Sequence, residues 1–159
     1  MPEQKKILVV YYSRSGTTRR VAEEVAKELG ADIEGIQDAK SRKGLFGWLR
    51  SGFEAHRKSL PEIRPFRRDA AQYDLVVLAS PIWAGLMASP MRTWLSSNKA
   101  GLRSVALVTT SASTDYEAAL SEMAEFIGKK PVATLGVVAR QVKTGKYLDS
   151  LKAFAAKLR

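Results

Sequence analysis

An apolar run, Ile7-Leu8-Val9-Val10-Tyr11, leads through Tyr12 into Ser13-Arg14-Ser15-Gly16-Thr17-Thr18. A helical pattern, Val21-Ala22-Glu23-Glu24-Val25-Ala26-Lys27-Glu28-Leu29-Gly30, follows at once. Strand, hydroxyl-rich turn and helix in that order build a phosphate site. The turn supplies Ser and Thr hydroxyls, and the helix start supplies unpaired N–H groups with a partial positive charge. Gly16 lets the backbone turn sharply and approach a ligand closely. Neither G-x-G-x-x-G nor G-x-x-x-x-G-K-[ST] occurs, so the loop is not a dinucleotide fingerprint or a Walker loop. The plain alternative is a helix capped by Ser or Thr with no ligand.

The rest of the chain repeats this rhythm. Strands are expected at about 6–11, 31–37, 73–80, 104–110 and 132–138, and helices at about 17–29, 44–58, 87–97, 115–128 and 145–158. Asp74-Leu75-Val76-Val77-Leu78-Ala79-Ser80 and Val105-Ala106-Leu107-Val108-Thr109 are nearly continuous apolar runs. Strands covered on both faces read this way. Strand and helix in alternation argue for an α/β fold, an open parallel sheet with right-handed crossovers. The 159 residues suit one domain, 1–159, with an insertion at about 38–72.

That insertion breaks the rhythm. It contains Gly44-Leu45-Phe46-Gly47-Trp48-Leu49-Arg50-Ser51-Gly52-Phe53-Glu54-Ala55-His56. Leu45, Leu49 and Phe53 sit at helical spacing and share a face, while three glycines weaken the helix. The expectation is a solvated helix whose aromatics Phe46, Trp48 and Phe53 pack inward.

After the third strand comes Ser80-Pro81-Ile82-Trp83-Ala84-Gly85-Leu86-Met87-Ala88-Ser89-Pro90. A tryptophan in a Pro/Gly loop at a strand's carboxyl end is placed to stack on a planar ring, or else to plug the gap between loop and sheet. Ser89 and Pro90 read as an N-cap and a first-turn proline.

Together these segments resemble the flavodoxin family over almost the whole chain. Ser13, Ser15, Gly16 and Thr18 fit its [TS]-x-[TS]-G-x-T phosphate loop, and Pro81-Ile82-Trp83-Ala84-Gly85 fits its P-[VI]-[YW]-x-G loop. The resemblance implies a three-layer sandwich with a five-stranded parallel sheet of order 2-1-3-4-5, the cofactor lying at the switch point between strands one and three. It implies FMN, held by Ser13, Arg14, Ser15, Gly16, Thr17 and Thr18 at the phosphate. Pro81, Ile82, Trp83, Ala84 and Gly85 would lie at the ring, with Trp83 stacked on it. A single hydroxyl-lined loop suits one terminal phosphate, whereas a pyrophosphate calls for the missing dinucleotide fingerprint. In the third loop Ser111 and Ala112 would meet the ribityl chain or ring edge. Tyr116 would approach the second face of the flavin, and Asp115 would cap the next helix.

Composition bounds the chemistry. There is no cysteine and His56 is the only histidine, which excludes disulfides, thiolate sites and histidine metal clusters. No catalytic residue is assigned, and His56 is read as structural or solvent-facing. The charged N-terminus lacks a signal-peptide apolar region and no run approaches a membrane span of roughly 20 residues, so a cytoplasmic protein is expected.

The net charge of +10 departs from electron-carrier flavodoxins, which are usually acidic. It suits either an acidic redox partner protein or NAD(P)H with a quinone-like acceptor. An alternative from a different class is a redox-inactive binding module. Its basic surface, built from Arg42, Lys43, Arg50, Arg57, Lys58, Arg64, Arg67 and Arg68, would serve nucleic acid, acidic protein or anionic lipid. Oligomeric state stays open, since flavodoxin-like reductases often dimerise and carriers are often monomers.

Overall fold

The structure, a computed structural model, describes residues 3–159; Met1 and Pro2 lie outside it. Five strands form one parallel sheet: β1 (Ile7–Tyr11), β2 (Asp32–Gly35), β3 (Leu75–Trp83), β5 (Ser104–Ser111) and β6 (Thr134–Val138). A two-residue strand, β4 (Leu86–Met87), folds back antiparallel on the end of β3. The order across the sheet is β2-β1-β3-β5-β6, which is the expected 2-1-3-4-5 once β4 is set aside. The chain reverses direction across the sheet between β1 and β3, where Ile7 faces Leu75 and Tyr11 faces Ala79.

Side-chain alternation along these strands builds two cores. Ile7 and Val9 of β1, Val77 of β3 and Val108 of β5 face α1 (Thr17–Leu29) and α6 (Leu148–Ala156), meeting Val21, Val25, Phe154 and Leu158. Leu8, Val10, Val76, Leu78 and Leu107 face the opposite side, against Met91, Trp94 and Leu95 of α3 (Ser89–Asn98) and Met123 of α4 (Glu117–Ile127). Every residue from Leu75 to Ser80 is buried, as a strand covered on both faces requires.

Three local departures from the expected elements have physical causes. β3 runs on to Trp83 because Ala84 (φ 51°) and Gly85 (φ 78°) make a two-residue turn with both residues left-handed, which closes the β3–β4 hairpin. The helix expected at about 145–158 is α6, and an additional short helix, α5 (Ala139–Thr144), precedes it; Gly145, whose φ of 77° ends α5, lies between them. Ala88, not Ser89, is the N-cap of α3. The Ser89 hydroxyl instead donates to Glu54 at 3.1 Å.

The largest departure is α2 (Gly44–His56) in the insertion. Its inward face is made of small residues, Gly47, Ser51 and Ala55. Leu45, Leu49 and Phe53 do share a face, but it points outward. Phe46, Trp48 and Phe53 are 86%, 60% and 58% exposed, which corrects the expectation that the aromatics pack inward. Close approach explains the inversion. A Cβ on Gly47 would lie 1.9 Å from the carbonyl oxygen of Arg42, so only a bare backbone fits there. Beyond α2 the insertion returns to the sheet edge, where Asp38 bridges Ile63 and Arg64 N–H donates to the Gln37 carbonyl at 2.8 Å.

Candidate functional site

The carboxyl ends of β1, β3 and β5 open into a cleft of about 720 Å³, a volume typical of small-molecule and cofactor sites. The β1 loop forms one end. Gly16, at φ 101°, is the N-cap of α1, and among the described residues no side chain caps that helix. The Gly16 N–H donates to the Ser13 hydroxyl oxygen at 3.0 Å, which curls the loop. Thr18 is buried and shares a 2.7 Å hydrogen bond with Thr110 at the end of β5, pinning the helix start to the third loop. Arg14 donates to the carbonyls of Arg42 (3.1 Å) and Gly44 (3.0 Å), so its charge stays uncompensated by any carboxylate at that end of the cleft. Among the described residues no Asp or Glu lines the cleft. Free N–H groups, hydroxyls and a guanidinium without a carboxylate fit a phosphate dianion.

Pro81, Ile82, Trp83 and Ala84 line the opposite part. Trp83 packs against two side chains. Tyr12 meets it edge-on, with ring centroids 5.3 Å apart and planes at 90°. The guanidinium of Arg42 lies 5.1 Å from its ring centroid. Arg42 is itself only 4% exposed. Its Nε donates to Asp38 at 2.8 Å, one terminal nitrogen to Glu54 at 2.5 Å, and the other to the Ser51 hydroxyl at 3.3 Å. Burial works against the Arg42 charge, and hydrogen bonds to Asp38 and Glu54 more than offset it, so its pKa is raised. Burial also works against the Glu54 carboxylate, yet Arg50 and Arg42 hold its pKa below the usual value. Tyr12 has its phenol pKa pushed up, by burial first and then by the hydrogen bond it donates to Asp38. Arg42 therefore ties the insertion to the Trp83 loop and is not part of a basic surface, contrary to its place in the binding-module reading.

Most of the residues expected at the cofactor do meet here. Ser13, Arg14, Ser15, Thr17 and Thr18 line one end, and Ser111 and Ala112 line the β5 side. Gly16 and Gly85 shape their turns without lining the cleft. Tyr116 lies elsewhere. It is the N-cap of α4, and its ring covers Gly136 of β6 so closely that a Cβ there would sit 2.1 Å from it. Asp115 makes no cap for α4.

The cleft also takes in residues that were not expected there: Trp48, Leu49, Gly52, Phe53 and His56 of α2, with Thr110 and Ala139. The spacing of Leu45, Leu49 and Phe53 marked the right face of α2 but not the direction it points.

The doubly wound parallel sheet brings the hydroxyl-rich loop after β1 and the Trp83 loop after β3 together at the point where the strand order reverses. The family model of flavodoxin matches residues 6–131, and the chain belongs to the flavodoxin family. Among solved structures it is similar to a flavoprotein of Lactobacillus acidophilus NCFM in complex with FMN. That likeness is 26% identical with a TM-score of 0.74, covering 91% of this chain and 99% of the other. The apo form of the flavoprotein from the same organism is 26% identical with a TM-score of 0.64, covering 94% and 99%. Oxidised flavodoxin 1 of Bacillus cereus shares the fold at 17% identity and a TM-score of 0.58, covering 96% and 95%. Among curated proteins no relative matches. Family membership and the likeness to the flavoprotein in complex with FMN support FMN as the cofactor. Among the described residues no helix is long and apolar enough to cross a membrane.

Proposed function

We propose that the chain is a small FMN oxidoreductase that takes reducing equivalents from NAD(P)H and delivers them to a quinone-like acceptor. One observation carries the reading: a single carboxylate-free cleft joins an uncapped helix start at one end to a pinned indole and an apolar helix wall at the other. When bound, FMN supplies the hydride and electron chemistry; the protein supplies position and field. Ser13, Ser15, Thr17 and the first N–H groups of α1 hold the phosphate. Trp83, fixed between Tyr12 and Arg42, offers a flat apolar face to the ring. Arg14 and the net charge of +10 favour the reduced, more anionic state of the bound group. Trp48, Leu49 and Phe53 present apolar surface beside it, which suits a planar acceptor.

A second reading, a one-electron carrier docking on an acidic protein, draws on the same +10 charge. Steady-state assays of the FMN-loaded protein separate the two. NAD(P)H oxidation that depends on added quinone supports the reductase. Normal reduction by dithionite with no oxidation of NAD(P)H overturns it in favour of the carrier.

A further inference from the structure

The glycines of α2 divide into two that the protein explains and one that it does not. Gly44 opens the helix at φ 75°, in the left-handed region. Gly47 has no room for a Cβ against the Arg42 carbonyl. Gly52 has an ordinary backbone conformation, and a Cβ built on it meets nothing within 4 Å. A mid-helix glycine costs about 1 kcal/mol relative to alanine. Here no protein contact offsets that cost. Gly52 lines the cleft.

Its neighbours on the same face are large. Trp48 and His56 lie one helical turn to either side, at i−4 and i+4, and both line the cleft. Leu49 and Phe53 complete the wall. The surface is thus a slot, floored by bare helix backbone and bounded by an indole and an imidazole. The open space over Gly52 lets a flat ring reach van der Waals distance of the helix backbone, which a side chain at position 52 would prevent. With Arg14 in the cleft and no carboxylate lining it among the described residues, the cleft accommodates a planar ring that carries an anionic substituent.

We propose that the Gly52 face of the cleft seats a planar aromatic ligand beside the flavin held by the 13–18 loop and Trp83. The inference rests on the flavin reading and deepens it, because the ligand in the slot is the electron acceptor. Gly52 is then the specificity-determining residue: its missing side chain sets how closely a ring approaches α2.

The test uses anthraquinone-2-sulfonate as the planar probe and cyclohexanesulfonate as a non-planar control, with Gly52→Ala and Gly52→Leu. FMN affinity of each protein is measured first. Probe binding is then read by dialysis on the FMN-loaded protein and by tryptophan quenching on the apoprotein, so binding is read apart from activity. The expected result has three parts. FMN affinity stays within threefold of wild type. Probe affinity falls at least tenfold in Gly52→Ala and further in Gly52→Leu. The Tm of Gly52→Ala equals or exceeds that of wild type, the opposite of what a packing role predicts. The control binds none of the proteins. Unchanged probe affinity in both variants overturns the subsite, and so does a fall in FMN affinity as large as that for the probe, since the slot would then belong to the flavin. A wild type that takes up no FMN refutes the flavin reading instead, and the apoprotein titration still decides whether the slot binds a flat ring.

Discussion

Replacing Arg42 by Met removes a buried cation that ties Asp38 and α2 of the insertion to the Trp83 ring. The guanidinium is buried and serves two carboxylates, Asp38 at 2.8 Å and Glu54 at 2.5 Å. Removing one partner of a buried ion pair costs about 3–5 kcal/mol, because the other charge is left without compensation. Two features place the cost at the low end. Glu54 keeps Arg50 at 2.9 Å and the Ser89 hydroxyl at 3.1 Å, and Asp38 keeps the Tyr12 hydroxyl. The lost guanidinium–indole contact at 5.1 Å adds about 0.5–2 kcal/mol. The expected total is about 3–5 kcal/mol at pH 7, a large part of the roughly 5–15 kcal/mol that holds a domain of this kind together. Urea unfolding followed by circular dichroism measures it. Acid supplies a second signature. As Glu54 becomes protonated it no longer needs the cation, so the gap between Arg42→Met and wild type narrows at low pH. A loss below about 1 kcal/mol at pH 7, or a gap independent of pH, refutes the role given to Arg42.

The pKa of Glu54 is lowered in the folded state, so its contribution to stability is complete above its unfolded value of 4.5 and drains away as pH falls through the folded value. Unfolding midpoints of wild type should therefore drop below pH 4.5, and Glu54→Gln should show a shallower acid limb; parallel limbs contradict this. Gly47→Ala forces a Cβ to 1.9 Å from a carbonyl oxygen and should cost about 1–3 kcal/mol, measured by thermal unfolding; a neutral result contradicts the packing of α2. Arg14→Gln should weaken FMN binding about tenfold and lower the reduction potential of the bound flavin, since one charge near 10 Å contributes about 1–2 kcal/mol before screening. Spectroelectrochemical titration checks the potential, and an unchanged or higher value counts against a cationic field at the flavin.

The two loops that carry the family resemblance were legible because their information is local. A strand's apolar run, a glycine that turns the chain and a helix start need only a dozen consecutive residues, and Ser13 to Thr18 sit as that logic requires. Pro81 to Gly85 were equally clear, and the left-handed Ala84–Gly85 pair only lengthened the strand that carries Trp83. What escaped depends on distant parts of the chain. Periodicity along α2 identified which residues share a face, but the direction of that face is set by Gly47 against Arg42 and by Arg42 against Glu54 and Asp38. Arg42 looked like one more surface cation until burial and two carboxylates gave it an inward role. Tyr116 was drawn away from the cleft by Gly136, a bare position across β6 that nothing near residue 116 announces. His56 and Gly52 reached the cleft by the same route, carried there by a helix whose orientation is a tertiary fact.

Titration of the apoprotein with FMN and, in parallel, with riboflavin tests the account most directly. Both share the ring that faces Trp83, and they differ only in the phosphate assigned to Ser13–Thr18. One equivalent of FMN should bind and quench tryptophan emission. Riboflavin should bind at least about a hundredfold more weakly, the equivalent of one or two charge-assisted hydrogen bonds. Equal affinity for the two, or no uptake of FMN, contradicts a phosphate seated at the start of α1 and the flavin chemistry that depends on it.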